Sequence, residues 1–180
     1  HVPIKGACEN ADIYAFTGHK WAYGPEGLGA VALSTRVLEE SSPTLIGWKS
    51  LKAEEGIHVN NKDPFHSDGR RFEIATSCVP LLAGLRSSLT MLKNEGNETE
   101  RFFKIKSLSC ILWEKLNQIK NIELVLNSPP PSGIISFTIN GNHSPEEVVN
   151  YLGQENVWIR VLEDPKWLRA CVHVPTDSNE

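Results

Sequence analysis

Lys20 is the residue of this sequence best placed to do covalent chemistry. A short apolar run, Ile13-Tyr-Ala-Phe16, breaks at Gly18 and delivers His19, Lys20 and Trp21 into a turn. Gly24-Pro-Glu-Gly-Leu-Gly29 then holds the following backbone in a fixed path. A lysine presented from the end of a buried strand by a stiff loop can have its amine desolvated and used as a nucleophile toward a carbonyl, which is Schiff-base chemistry. Most loop lysines are solvated surface residues, and most glycine-rich turns are only turns. Here an imidazole directly precedes the amine, the hydroxyl of Thr17 lies three residues before it, and Gly-Pro-x-Gly-x-Gly follows shortly after. A plain surface turn requires none of these.

The elements that must position these groups are read from periodicity. Ile13–Phe16 and Gly29–Ser34 read as strands on either side of the glycine loop, and Arg36–Glu40 as a short helix closed by Ser41-Ser-Pro43. Lys52–Gly69 is polar and without periodicity, as functional or disordered loops are. Leu81, Leu82, Leu85, Leu89 and Leu92 recur at helical spacing in a segment that ends near Gly96. A second helix, about Glu98 to Gln118, carries Phe102, Ile105, Leu108, Leu112, Leu116 and Ile119 on one stripe. Both stripes are expected to be core. Ile122–Leu126, Gly133–Ile139, Val157–Val161 and Leu168–His173 read as strands, and Ser144-Pro145 as the N-cap and first position of a further helix. Residues 1–95 thus form one part and 96–180 a small α+β part.

Composition narrows the partners. The 180 residues have the make-up of an ordinary globular protein, with a net charge of −4 and no basic cluster to serve a nucleic acid. No apolar run approaches a membrane span. Cys8, Cys78, Cys110 and Cys171 are scattered without metal-ligand spacing. They read as reduced thiols of a cytoplasmic protein, mostly buried as small apolar residues, and no metal is expected. His1 is not an initiator Met, Val2-Pro-Ile4 already reads as extended chain, and Asp177-Ser-Asn-Glu180 has capping-box spacing with no helix after it. These ends read as those of a piece of a longer protein.

Thr17-Gly-His-Lys20 with its glycine loop resembles the cofactor-lysine segment of class V aminotransferase-like enzymes of fold type I, which use pyridoxal phosphate (PLP). This group holds cysteine desulfurases, cystine C–S lyases and isopenicillin N epimerase-like enzymes. The resemblance covers nearly the whole chain but only the C-terminal half of such an enzyme. It implies an α/β fold: residues 1–95 as the tail of the large PLP-binding domain and 96–180 as the small domain. Lys20 would bind PLP and act as base at the substrate Cα, and Thr17 and His19 would hold the phosphate. Arg71-Phe-Glu-Ile-Ala-Thr76 resembles the family's R-F-E-x-x-T segment, so Thr76 would reach the phosphate of a neighbouring subunit in a homodimer with shared sites. A structural ion pair is the simpler reading of Arg71 and Glu73. Trp48 matches an aromatic that closes the partner's site in the C–S lyases. Arg169 matches the arginine that binds the substrate amino acid's carboxylate, and Arg160 a second arginine of the lyase branch. An arginine in an apolar strand also needs an anionic partner on physical grounds.

One omission separates the reactions. Cysteine desulfurases carry a nucleophilic cysteine on the loop between these two arginines. Val161-Leu-Glu-Asp-Pro-Lys-Trp-Leu168 is short and has none, and Cys171 reads as a buried structural thiol. The resemblance is therefore closest to cystine/cysteine C–S lyases, giving pyruvate, ammonia and a persulfide or sulfide. Desulfurase or epimerase chemistry is the alternative, and a non-catalytic dimerisation module is the alternative of another class. The aspartate that protonates the cofactor ring lies upstream in the family, so this segment alone is expected to have little or no activity.

Overall fold

The computed structural model describes residues 3–4, 6, 9–52 and 64–179. The chain divides into two compact units, Ile4–Asn94 and Glu95 onward.

In the first unit, strands β1 (Ile13–Thr17) and β2 (Gly29–Leu33) pair antiparallel from Ile13↔Leu33 to Thr17↔Gly29. Helix α1 (Thr35–Glu40) follows, with Ser34 as N-cap. Ser34 Oγ donates to Asp12 Oδ1 at 2.9 Å, Arg36 Nε donates to the same oxygen at 3.1 Å, and Ser34 N–H reaches the Asp12 carbonyl. The bonds from Arg36 and then Ser34 hold the Asp12 carboxyl below its usual range. A single 3-10 turn, Gly69–Phe72, precedes helix α2 (Val79–Asn94). Leu51 bridges to Phe65, and Lys52 N–H donates to the Pro64 carbonyl, across the expected loop. Residues 53–63 of that loop, like Val2 and Cys8, lie outside the described residues.

Two expectations fail in this unit. Strand β1 is not buried: it and β2 form a two-stranded ribbon with most residues exposed. The α2 stripe is not a buried core either. Leu82 and Leu89 are exposed, while Leu81, Leu85 and Leu92 are half-buried. Periodicity marks the apolar face of a helix and leaves open whether anything covers it.

The second unit has the closed core. Helix α3 (Glu98–Asn117) opens on a capping box between Asn97 and Glu100, after Gly96 at φ 107°. Strands β3 (Ile122–Leu124), β4 (Ile134–Ile139), β5 (Arg160–Val161) and β6 (Leu168–Cys171) form an antiparallel sheet in the order β3-β4-β6-β5. Helix α4 (Pro145–Gln154) starts at Ser144 with a second capping box, to Glu147. Ile135 (2% exposed), Phe137, Leu168 (0%) and Ala170 pack against Leu112, Trp113 and Leu116 of α3 and Val148 and Val149 of α4. Both helices therefore cover the same sheet face. Ile105 and Leu108 of the α3 stripe are buried, while Ile119, past the helix end, is half exposed.

Strand β5 is shorter than the expected Val157–Val161. Asn156 takes φ 63° and Val157 N–H bonds back to the Leu152 carbonyl at 2.8 Å, so residues that read as strand serve as the exit of α4. The Asp177 carboxylate accepts from Asn179 N–H in a local turn. The cysteines are less buried than expected: Cys78 and Cys171 are exposed and Cys110 is half-buried. Cys171 alternates with buried Ala170 and so points away from the core.

Candidate functional site

The lysine loop, residues 18–28, is closed at its neck. Gly18 N–H donates to the Leu28 carbonyl at 2.8 Å and Gly24 N–H to the Gly18 carbonyl at 2.7 Å. Inside that neck Tyr23 N–H donates to the Lys20 carbonyl at 3.1 Å, making Lys20–Tyr23 one turn. A Cβ on Gly24 would stand 2.8 Å from the Gly18 oxygen, so only glycine permits the closure. Lys20, His19 and Thr17 are all exposed, which corrects the expected desolvation of the amine by a buried strand. Among the described residues, none of their side chains has a hydrogen-bond or ion-pair partner.

The segments that carry Trp48 and Thr76 meet in a second feature. The turn at Gly47–Ser50 lies against residues 73–77. Ser50 is fully buried; its Oγ accepts from Gly47 N–H at 3.0 Å and donates to the Glu73 carbonyl at 2.6 Å. Lys49 Nζ donates to Ser77 Oγ at 2.8 Å and pairs with the Glu73 carboxylate at 3.6 Å. Glu73 thus has an ion-pair partner in Lys49, while Arg71 donates to the Leu38 carbonyl and lies over the Phe65 ring. The indole of Trp48 stands 65% exposed at the crest, beside Leu45, Ile46 and Ile74. Sequence reading singled out Trp48 and Thr76 and missed Gly47 and Ser50, which join the segments that carry them.

A Cβ on Gly47 would lie 1.7 Å from the Ile74 carbonyl oxygen, backbone against backbone. Gly47→Ala is therefore expected to destabilise the protein by about 3 kcal/mol, the upper range for overpacking a tight contact. Urea unfolding checks it, and an unchanged midpoint would refute the close approach.

Arg160 and Arg169 face each other in the second unit. The ladder pairs Arg160↔Arg169 and Ser136↔Arg169, setting the three in one row across β5, β6 and β4. The row lies on the sheet face opposite α3 and α4, because the alternate residues Phe137, Val161, Leu168 and Ala170 pack toward the helices. Arg160 is exposed, Arg169 half-buried, and neither side chain has an ion-pair partner among the described residues. Like charges directly opposite on a ladder repel, so the row is electrostatically set for an anion. The connection between the arginines is a hairpin closed by Leu162 N–H to the Trp167 carbonyl at 2.7 Å. Lys166 at its tip pairs with Glu146 of α4 at 2.7 Å, which lowers the Glu146 carboxyl from its usual value.

The Aminotransferase class-V family model matches residues 1–163. The chain belongs to the class-V aminotransferase family. Among curated members, a probable cysteine desulfurase of Pasteurella multocida is 28% identical over 91% of this chain and 37% of its own length. Among solved class-V structures, the cystine C–S lyase C-DES, in complex with its reaction product cysteine persulfide, is 34% identical. It has a TM-score of 0.85 and covers 97% of this chain and 45% of its own. A lysine-to-alanine variant of C-DES, with glycine covalently linked to the PLP cofactor, superposes with the same TM-score and identity over 96% of this chain and 44% of its own. The Escherichia coli cysteine desulfurase CsdA, at 23% identity and TM-score 0.77 over 99% of this chain and 45% of its own, shares the fold. The class-V fold is thus shown, and the chain spans less than half the length of these relatives.

Proposed function

We propose that the protein containing this chain is a PLP-dependent C–S lyase acting on cystine or cysteine. The donor set of the lysine loop fits the cofactor. A carbonyl group with a phosphate tail needs an amine and hydrogen-bond donors, and Lys20, His19 and Thr17 supply an amine, an imidazole and a hydroxyl with no competing partners among the described residues. When bound, PLP supplies a carbonyl for the amino group and a sink for the Cα electrons. Lys20 would hold the cofactor's carbonyl carbon and serve as the base for the substrate Cα proton. Arg169, helped by Arg160, holds the carboxylate in a guanidinium fork. On this reading residues 1–95 are the tail of the PLP-binding domain and 96–180 the small domain. Trp48 and Thr76 serve the site of a second subunit, which the exposed apolar crest around Trp48 supports. The described free thiols support a reducing, cytoplasmic setting. No helix among the described residues is long and apolar enough to cross a membrane.

The observation that carries elimination over desulfuration is the hairpin between the two arginines, tightly closed and without cysteine. With no thiol to take sulfur there, cystine and water give pyruvate, ammonia and cysteine persulfide. Cysteine desulfuration remains the second reading, because Cys171 is exposed and shares the outer face of β6 with Arg169. Against it, partial burial pushes the Cys171 thiol up, although Arg169 offsets part of the rise. A thiol so raised is a poor nucleophile near neutral pH.

Product analysis of the intact protein decides the reaction. Pyruvate and ammonia are expected from cystine, and alanine as the main product would establish desulfuration instead. Assayed alongside, residues 1–180 alone are expected to give only a trace of product.

A further inference from the structure

Helix α2 buries one side chain below a tenth exposure, and it is a serine. Ser88 is 8% exposed, and its Oγ lies 2.9 Å from the Gly84 carbonyl and 2.7 Å from the Tyr23 carbonyl. The first contact is the local back-bond that serines make within helices. The second reaches across to the lysine loop and is the shorter. A hydroxyl carries one proton, so the two carbonyls compete for it.

Tyr23 needs that bond more than most residues would. It takes φ 54°, the left-handed region that side-chain-bearing residues rarely adopt, and it closes the turn that begins at Lys20. The loop is also fitted to α2 one turn before the hydroxyl. A Cβ on Gly24 would meet Leu85 Cδ1 at 2.6 Å, and one on Gly84 would meet Pro25 Cγ at 3.2 Å. The Ser88 hydroxyl is thus a buried polar group beside these close approaches, and it is aimed at the strained end of the Lys20 turn.

We propose that Ser88 is a positioning residue for Lys20: its hydroxyl holds the Tyr23 carbonyl, keeps that residue left-handed, and so fixes the turn from which the Lys20 side chain leaves the backbone. The proposal rests on the reading of Lys20 as the cofactor lysine, but one of its readouts does not.

The test compares the intact protein with Ser88→Ala and Ser88→Thr. By amide hydrogen exchange, Ser88→Ala is expected to speed exchange at Tyr23 and Gly24 on the order of tenfold, the effect of one hydrogen bond. Amides of the β1–β2 ladder are expected to stay unchanged, and Ser88→Thr, which keeps the hydroxyl, to restore protection. Unchanged exchange at Tyr23 and Gly24, an equal rise throughout β1, β2 and α2, or a threonine variant that behaves like alanine would each overturn the proposal. The second readout is borohydride fixation of PLP with peptide mapping, across pH. Ser88→Ala is expected to lower the labelling of Lys20 and shift its pH profile relative to wild type. An identical profile in both would overturn the positioning role. Wild-type protein that never labels at Lys20 would overturn the cofactor reading instead, with the exchange result standing by itself.

Discussion

Lys20→Ala is expected to abolish covalent capture of PLP by the intact protein. Borohydride treatment followed by peptide mapping should find the pyridoxyl group on Lys20 in wild type and on no lysine in the variant. Activity on cystine should fall by at least about 10³-fold, since one substitution removes both the group that binds the carbonyl and the base at Cα. The geometry makes Lys20 hard to replace. Its turn is pinned at the neck by Gly18 and Gly24, so another lysine would have to approach from a different element. Because the Lys20 side chain is exposed and bonds to nothing described, its removal should leave the free energy of unfolding within about 0.5 kcal/mol of wild type. Retained labelling and turnover in Lys20→Ala would sink the assignment of Lys20, whereas a wild-type protein with neither would favour the non-catalytic dimerisation module.

Arg169→Ala carries the second large effect. A carboxylate held by a guanidinium fork gains about 1.5–3 kcal/mol from charge-assisted hydrogen bonds, so KM for cystine should rise roughly 10- to 150-fold. Because this contact is made to bound substrate and transition state alike, kcat should change far less. Arg169→Lys should recover only part of the loss, because an ammonium cannot form the fork. Stability gives an independent check. Arg160 lies directly opposite on the ladder, so removing Arg169 relieves like-charge repulsion and should leave stability unchanged or raise it by a few tenths of a kcal/mol. A fall in kcat at constant KM would assign Arg169 to the chemical step and not to carboxylate binding.

Local features of the chain were legible from sequence because local chemistry decides them. The glycine-flanked break after Phe16, the serine–proline start of α4 and the long stripe of α3 each announce an element through a cap, a breaker or a period. Burial was less legible. The leucines of α2 mark an apolar face, yet Leu82 and Leu89 are exposed, and the strand before Lys20 has no covering layer in its ribbon. Contacts distant in sequence were not legible at all. Nothing in Ile46-Gly-Trp-Lys49 announces that Gly47 touches the Ile74 backbone, or that Ser50 bonds to Glu73. Sequence picked out both arginines, but their nine-residue spacing did not reveal that they share a row. The hairpin closure at Leu162 and Trp167 sets that.

The same closure makes parity a property of the arginine pair. Side chains alternate along a strand, so Arg160 and Arg169 emerge on one side only while the ladder keeps its present count of residues between them. Slipping β5 by a single position would turn Arg160 toward the layer of α3 and α4 and bring Val161 out in its place. Substitutions at the hairpin tip can change its chemistry freely, whereas an odd insertion that carried into the ladder would dismantle the arginine pair without altering either arginine. What specifies the shared row is therefore an even–odd count along the chain as much as the two guanidinium groups.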